Sequence, residues 1–587
     1  MPLETAYART IDFKWQIGDK SGMRPAGKGP LESLYFTYPR FAAKPAPEQQ
    51  GRNLRHQVAI VGAGPVGMLA ALMLARQGVA SVLLDRKQTF NDGSRAVCLA
   101  RQSLQILQQA GAVAPFLAKA LGWRRGRSFY RGHEIYRLEM PHADSEKYLP
   151  MYNLQQQYIE QFLNEAIERE ALIETRWQSE VIGLTNVPAG VALQVDAPDG
   201  PYRLHADWLI AADGARSSLR NLLGLRLRGE NYEGRYVIAD VRMRHDYPTE
   251  RRAFFEPRAN PGGTVLVHKQ PEDIWRIDYQ LRPEEDADSA VQEAEIRRRV
   301  GEVLSEIGHV GPWELEWWSI YTANTLCLDD YRHGRAFFIG DAAHIVPIFG
   351  VRGLNSGLAD AQNLAWKLGY VLRGLAHERL LDSYSPERRA ATLDVFANAS
   401  KSTRFMTPPS RGWALMREAA LSLAISQEFV RPLADPRQMR PYSYAAGPLA
   451  CFADRDRAFE SGPMAGSACP NARIDDGRFL LDLAGNSFTL LLFDADNAHA
   501  TQALIDRLRA HDPALEAIIV VGGEHQTRQA GAVVRDRSGE VGRVFSANPG
   551  TVYLLRPDLH IAARWRTFMD DEIEQALRVC LGKEPAG

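Results

Sequence analysis

VAIVGAGPVGMLAALMLARQGVASVLLD, residues 58–85, decides the fold. Val58 to Val61 is a short apolar run, Gly62-Ala63-Gly64-Pro65-Val66-Gly67 supplies a turn, and Met68 to Arg76 continues with strong helix formers. Strand, tight turn and helix in that order are the context a GxGxxG pattern needs before it counts as a dinucleotide site. Gly62 lets the chain turn, Gly64 lets the backbone approach a pyrophosphate, and Gly67 lets the helix pack closely. Free N–H groups at the helix start then face the phosphates. A second apolar strand, Ser81 to Leu84, ends at Asp85, where a carboxylate can accept hydrogen bonds from an unphosphorylated adenosine ribose. Gly62, Gly64, Pro65, Gly67, Asp85 and Arg86 are therefore candidate cofactor-binding residues. The plainer alternative is a glycine-rich turn in an ordinary α/β unit.

Two further patches repeat the geometry. LIAADGARSSLR, residues 209–220, reads as a strand ending at Asp213-Gly214 with a helix starting near Arg216 to Arg220. FFIGDAAHIVPIFGVRGLNSGLADAQNLAWKL, residues 337–368, reads as a strand ending at Gly340-Asp341. In that third patch Pro347 and glycines 350, 353 and 357 form a loop before a helix expected over Leu358 to Leu372. Acids at strand carboxyl ends sit in the crevice where α/β sheets bind ligands. Asp341 is placed to hold ribityl hydroxyls, or else only caps a helix. N–H groups around Gly353, Leu354 and Asn355 can face a flavin pyrimidine and stabilise negative charge on the reduced ring. The three patches in this order narrow the reading to a flavin-dependent enzyme with FAD.

GAGPVG, then AADGARSSLR, then GDAAHIVP and RGLNSG with DAQNLAWKL resemble the single-component FAD-dependent aromatic hydroxylases, which include para-hydroxybenzoate hydroxylase and phenol hydroxylase. HKQPEDIWRIDYQL and LLDSYSPERRAAT are most similar to the 3-(3-hydroxyphenyl)propionate hydroxylase-like branch. The resemblance implies that Arg95 contacts the FAD phosphates, that Gln156 lies beside the flavin, and that Asp213 and Asp341 are the second and third flavin-site acids. It implies aromatic compound catabolism, in which NAD(P)H reduces FAD, O₂ adds at flavin C4a, and the resulting hydroperoxide attacks an electron-rich phenol. No second GxGxxG is present for NAD(P)H, as expected of a family that binds it transiently. One departure is that Pro347-Ile348 stands where para-hydroxybenzoate hydroxylase has two prolines.

Substrate-steering residues are less defined. Arg276 aligns with an arginine near the flavin in para-hydroxybenzoate hydroxylase, where a planar fork would orient a phenolate or carboxylate. The competing role is a strand arginine paired with Asp278 or another nearby acid. His268 and Tyr321 can hydrogen-bond a phenol or move its proton, or be ordinary sheet residues. His344 is expected to hold its loop. The second functional class open to this sequence is a flavoprotein that does not hydroxylate, either a reductase or dehydrogenase or a FAD-stabilised binding protein, because unrelated chemistries share this scaffold.

At 587 residues the chain is too long for one core. The fold expected is α/β: a FAD-binding Rossmann-like domain, an inserted mixed β-sheet substrate domain, and a C-terminal thioredoxin-like α/β domain. Residues 1–55 form an extension, 56–235 and 330–400 one discontinuous FAD domain, and 236–329 the substrate sheet, which pieces near 127–140 can join. Residues 401–467 form a helical connection and 468–587 the tail, which lacks CxxC and so has no expected redox role. Cutting near 461–472 is expected to leave the flavin chemistry intact, since no flavin motif lies beyond. A net charge of −1 points away from nucleic acid or an anionic membrane. The five cysteines are scattered, and neither they nor the histidines have metal-ligand spacing, so no metal is expected. The polar start lacks the apolar stretch of a signal peptide, and no run is long enough to span a membrane. A cytoplasmic enzyme, a phenolic small molecule with O₂ and NAD(P)H as reaction partners, and a homodimer are the corresponding expectations.

Overall fold

Val58 to Val61 are buried on both faces, as the central strands of parallel sheets are. In the computed structural model they belong to strand Arg55–Val61, flanked by Ser81–Asp85 and Tyr202–Ala211, with Ile173–Trp177 and Ala336–Phe338 beyond, all parallel. The structure describes residues 22–187, 189–347, 350–434, 440–452, 458–493, 498–522 and 531–584. Register pairs Val61 with both Leu84 and Ala211, and Ala211 with Phe338. The three glycine-bearing turns therefore leave neighbouring strands at one edge of one sheet.

The long helix of the third patch spans Gly353–Leu372 and starts five residues before the expected Leu358. Its interior glycines do not break it, because Gly357 and Gly369 are needed for close packing. A Cβ on Gly357 would lie 2.7 Å from Val66 Cγ2, on helix Pro65–Arg76. The helix thus leans directly on the first glycine turn.

A second sheet of eight strands runs in the order His344–Ile345, Trp313–Cys327, Arg228–Met243, Ile274–Leu281, Thr264–Lys269, Arg251–Phe255, Arg125–Tyr130, His133–Glu139. The last two, from the 127–140 region, join as expected, and the parallel pairing of Arg125–Tyr130 with Arg251–Phe255 makes the sheet mixed. One face packs Val237, Val267, Trp275 and Ile277 with Ile296 and Val300 of helix Glu293–Glu306. Alternation turns Ile238, Asp240, His268, Arg276 and Asp278 to the opposite face. The described part of the N-terminal extension straps the two sheets together. Arg24 bonds Asp92 at 2.7 Å on the flavin-domain side and Glu316 at 3.0 Å on the second sheet, and Met23 bridges Trp318.

The connection is helical over Tyr384–Met406 and Arg411–Ala424 and ends in the 3-10 turn Glu428–Ala434. Beyond Ala434 the described residues up to 467 are mostly turns, because glycines and prolines such as Gly447, Pro448, Gly462 and Pro463 interrupt regular structure. The tail is a five-stranded sheet: Ala532–Arg535, Glu516–Val521 and Thr489–Phe493 are parallel, and Val552–Leu555 and Ile561–Trp565 are antiparallel. All five cysteines are buried and unbridged.

The tail is joined to the flavin domain by buried charge. Arg556 donates to both oxygens of Glu387, at 2.6 and 2.9 Å, and to Asp558 at 3.0 and 2.5 Å. Glu387 also accepts from Lys367 and Asn363, both at 2.8 Å, on the Gly353–Leu372 helix. Burial pulls the Lys367 ammonium down to about 8 even beside Glu387. No flavin motif lies in the tail, yet removing it would leave Glu387 and Lys367 without Arg556 and Asp558 and uncover Trp366 and Tyr370, which pack on Phe488. Cutting away the tail is therefore expected to lower stability through these lost contacts, even where the flavin chemistry is left intact. Deleting one member of a buried ion cluster strands the others at about 3–5 kcal/mol. Arg556→Leu should lower stability by that order, read as a drop in the denaturant midpoint, while an unchanged midpoint would show that Glu387 and Asp558 find other partners.

Candidate active site

The three turns and the second sheet enclose one large cavity of about 1700 Å³. Gly62, Gly64, Pro65, Asp85, Arg86, Arg95, Gln156, Asp213, Gly214, Asp341, Pro347, Gly353 and Leu354 line it, with Ile238, Trp317, Ser319 and Tyr321 of the second sheet. Residues scattered over some three hundred positions meet because the parallel strands end side by side. Ile348 lies outside the described residues.

The glycines differ in what they do. Gly62 has φ +109° and a Cβ there would be 2.3 Å from the Ala212 carbonyl oxygen, so the first turn touches the second. A Cβ on Gly67 would fall 2.0 Å from Gly62 O, inside the turn itself. A Cβ on Gly64 would meet no protein atom within 4 Å and would point into open space. That is the cradle expected for a ligand phosphate at a helix N-terminus.

Asp85 holds the turn as well as facing the cavity: Oδ2 accepts from Ala63 N at 2.7 Å and Oδ1 from Lys87 N at 2.8 Å. A carboxylate has further lone pairs for a ribose. Asp213 accepts from Leu219 N at 3.1 Å through Oδ2, and its buried Oδ1 has no hydrogen-bond partner among the described residues. Burial raises the Asp213 carboxyl, with Ser217 and Leu219 opposing. Asp341 is open to the cavity and enclosed by protein behind; loss of solvation raises its carboxyl, against the pull of His344, Arg95 and Arg220. Arg220, not singled out as a site residue in the sequence, ties the second and third turns by donating to Ala215 O at 2.6 Å and Ala342 O at 3.2 Å. Gln156 steadies the 93–97 loop, its Oε1 accepting from Ala96 N at 3.2 Å.

Of the remaining candidates, Arg276 and His268 lie off the cavity lining. The Asn355 side chain does not reach the cavity: Oδ1 accepts from Ala100 N at 2.8 Å and Ser103 Oγ at 2.6 Å, so only its backbone N–H, in the first helical turn, is available. Arg276 is fully engaged. It donates to Asp240 at 2.8 and 2.9 Å, to Arg95 O at 3.1 Å and to Ser94 O. This guanidinium is a joint between the second sheet and the loop carrying Arg95, with no fork left over for a substrate anion, and its acid is Asp240 on the neighbouring strand. His268 lies beside it, buried and outside the cavity lining; burial, then Arg251 and Arg276, hold its imidazole well below its usual range. Tyr321 does line the cavity and donates to Val346 O at 3.1 Å. His344 holds its loop, its ring nitrogen 2.6 Å from Asp360, which also accepts from Gly340 N and Arg388.

The family model for the FAD binding domain matches residues 55–399. The chain belongs to that family. A second model, the HcaD C-terminal domain, matches 469–578. A 3-(3-hydroxy-phenyl)propionate/3-hydroxycinnamic acid hydroxylase of Mycolicibacterium smegmatis is 28 % identical over 512 residues, covering 86 % of this chain and 90 % of the relative. One of Burkholderia cenocepacia is 29 % identical over 525 residues, covering 87 % and 94 %. The crystal structure of the flavin-dependent monooxygenase PieE in complex with FAD and substrate superposes with a TM-score of 0.75 at 24 % identity, over 91 % of this chain and all of that one, a likeness of fold. The protein is a FAD-dependent monooxygenase of the aromatic hydroxylase kind. The open space at Gly64, the unpartnered Asp213 Oδ1 and the bare helix start at Gly353 fit that cofactor.

Two substitutions separate fold from cofactor. Gly64→Val should give a folded protein without flavin, since its side chain enters the phosphate space and touches no protein, whereas Gly67→Val should fail to fold. Circular dichroism with flavin absorbance reads both, and a yellow Gly64→Val protein would remove this turn from the FAD site. Arg276→Lys keeps charge but loses the grip on Ser94 and Arg95. Buried charged hydrogen bonds contribute about 1.5–3 kcal/mol, so FAD should bind about 10-fold or more weakly, measured by flavin fluorescence titration.

Proposed function

We propose that this enzyme hydroxylates a phenolic aromatic compound, consuming NAD(P)H and O₂, in the cytoplasm where that reductant is available. The observation that carries the reading is the two-sided cavity. Glycine turns and acids suited to a dinucleotide form one wall, and Ile238, Trp317, Ser319 and Tyr321 of the sheet form the other, facing the same space. The names of the two bacterial relatives favour a phenol bearing a short carboxylated side chain. No helix among the described residues is long and apolar enough to cross a membrane.

In this reading the Gly62 to Gly67 turn and the helix behind it hold the pyrophosphate, Asp85 the ribose, Arg95 the phosphates, and Asp341 the ribityl hydroxyls. Backbone N–H groups of Gly353, Leu354 and Asn355 have no intrahelical acceptors and stabilise negative charge on the flavin pyrimidine. Bound FAD supplies the electron transfer from NAD(P)H and the activation of O₂. The protein's own part is to hold the phenol ring against the sheet, to keep water out, and to manage the phenol's proton. Tyr321 is committed to Val346 as a donor, so it offers a phenol only an acceptor lone pair.

The test is a panel of phenolic acids, simple phenols and polyketide-like phenols screened for stimulated NAD(P)H oxidation under ¹⁸O₂. A phenolic acid should stimulate oxidation and carry one ¹⁸O in its product. Stimulated oxidation with no label in any product would assign the protein to the non-hydroxylating flavoproteins instead.

A further inference from the structure

The sheet face that walls the cavity continues beyond it, and the continuation is polar. Strand register places Trp317, Asp240, Arg276, His268 and Arg251 in one row across the sheet, and Ser319, Ile238 and Asp278 in the next. Trp317, Ser319 and Ile238 line the cavity. Asp278 is paired with Ile238, one strand spacing of about 4.8 Å further in. His268 stands on the adjacent strand, diagonal to Asp278, within the range over which side chains on one face interact.

Both side chains are buried, Asp278 7 % and His268 5 % exposed, and Asp278 Oδ1 and His268 Nδ1 have no hydrogen-bonding partner among the described protein atoms. Buried polar atoms are rarely left unbonded; Asp278 is the strand neighbour of Ile238 on the cavity wall, with His268 behind it, and neither side chain is itself part of the lining. The charged and titratable groups around Asp278 are Arg276 on its own strand, Asp240, Tyr236, His268 and Arg251 on the other strands, and Cys98 across from the sheet. Asp240 and Arg276 neutralise each other at 2.8 Å. Cys98 is held as a thiol, burial pushing it up to about 12, and donates to Asn153 Oδ1 at 2.9 Å. Burial, opposed by Arg276 and reinforced by Asp240, pushes the Asp278 carboxyl up to about 7. It can therefore exchange a proton near neutral pH, next to an imidazole that stays neutral.

We propose that Asp278 and His268 seat the hydroxyl of the substrate, with Asp278 as the catalytic base that takes its proton and Arg251 placing positive charge beside the oxygen. This rests on the hydroxylase reading. As the ring is attacked its phenol becomes acidic; the O–H bond breaks, the electron pair stays on the phenol oxygen, and the proton moves to the Asp278 carboxylate. A carboxylate is needed, so below about pH 7 the protonated Asp278 cannot accept and turnover falls.

The experiment measures kcat and kcat/KM against pH on the FAD-loaded enzyme, with the best phenol of the panel, for wild type, Asp278→Asn and His268→Gln. Wild type should show a limb rising through about pH 7. Asp278→Asn, with normal flavin content, should lose that limb and turn over about 100-fold more slowly, the low end for loss of a general base. His268→Gln should keep the limb and raise KM several-fold. A wild-type limb and rate in Asp278→Asn, or a limb lost in His268→Gln alone, overturns the proposal. Should Asp278→Asn not retain FAD, the His268→Gln and wild-type profiles still decide it. Failure of wild type to hydroxylate any phenol would instead overturn the hydroxylase reading and this seat with it.

Discussion

Gly62 and Ala212 approach so closely that a Cβ on the former would be 2.3 Å from the carbonyl oxygen of the latter. This contact is possible only because glycine adopts φ +109° without a side chain to displace. It locks the first turn onto the second, and Val61, Ala211 and Phe338 end in register beside it. Asp85, Asp213 and Asp341 then project from neighbouring strand ends into one crevice. Any side chain at Gly62 would separate the turns, and the cavity would lose one of its walls.

Around that crevice the enzyme uses buried charge as fastening. Asp360 receives Gly340 N, His344 and Arg388, so the loop carrying Asp341 is held from behind by one carboxylate. Arg388 donates onward to Tyr444 at 2.6 Å, whose ring lies 4.6 Å from His560 of the tail. From the residue next to Arg388, Glu387 pairs with Arg556 and joins flavin domain and tail directly. Such clusters are weak contributors to net stability but severe when broken. They give the tail, which carries no redox motif, a physical role in keeping the Gly353–Leu372 helix in place beside the cavity.

The second sheet works on two faces. Its apolar face packs on a helix and fixes register, and register in turn decides which polar side chains appear on the face toward FAD. Arg276 shows how position overrides residue type. Read as a fork for a substrate anion, it is instead spent on Asp240 and on the carbonyls of Ser94 and Arg95, fastening the sheet to the loop that carries Arg95. The neighbouring Asp278, weighed in the sequence only as a partner for Arg276, is left with an unbonded oxygen one strand from the cavity wall.

The glycine turns and strand-end acids were legible from sequence because their chemistry is local: a strand, a turn with special backbone angles and a helix start leave a pattern within a dozen residues. The same locality made the cofactor class readable, and the sheet segments near 127–140 and 251–281 showed through their alternation. The start of the Gly353–Leu372 helix did not, since glycines argue against a helix unless a neighbour such as Val66 demands their absence of bulk. Nor did the strap formed by Arg24, the tail's ion cluster or the true partner of Arg276, all of which pair residues far apart in the chain. Sequence alone determined that this protein turns its backbone around a dinucleotide. Only the tertiary structure decided which charges neutralise one another and which stay poised beside the cavity, because pairing of buried charge depends on strand register and domain docking, and neither is written in any one segment.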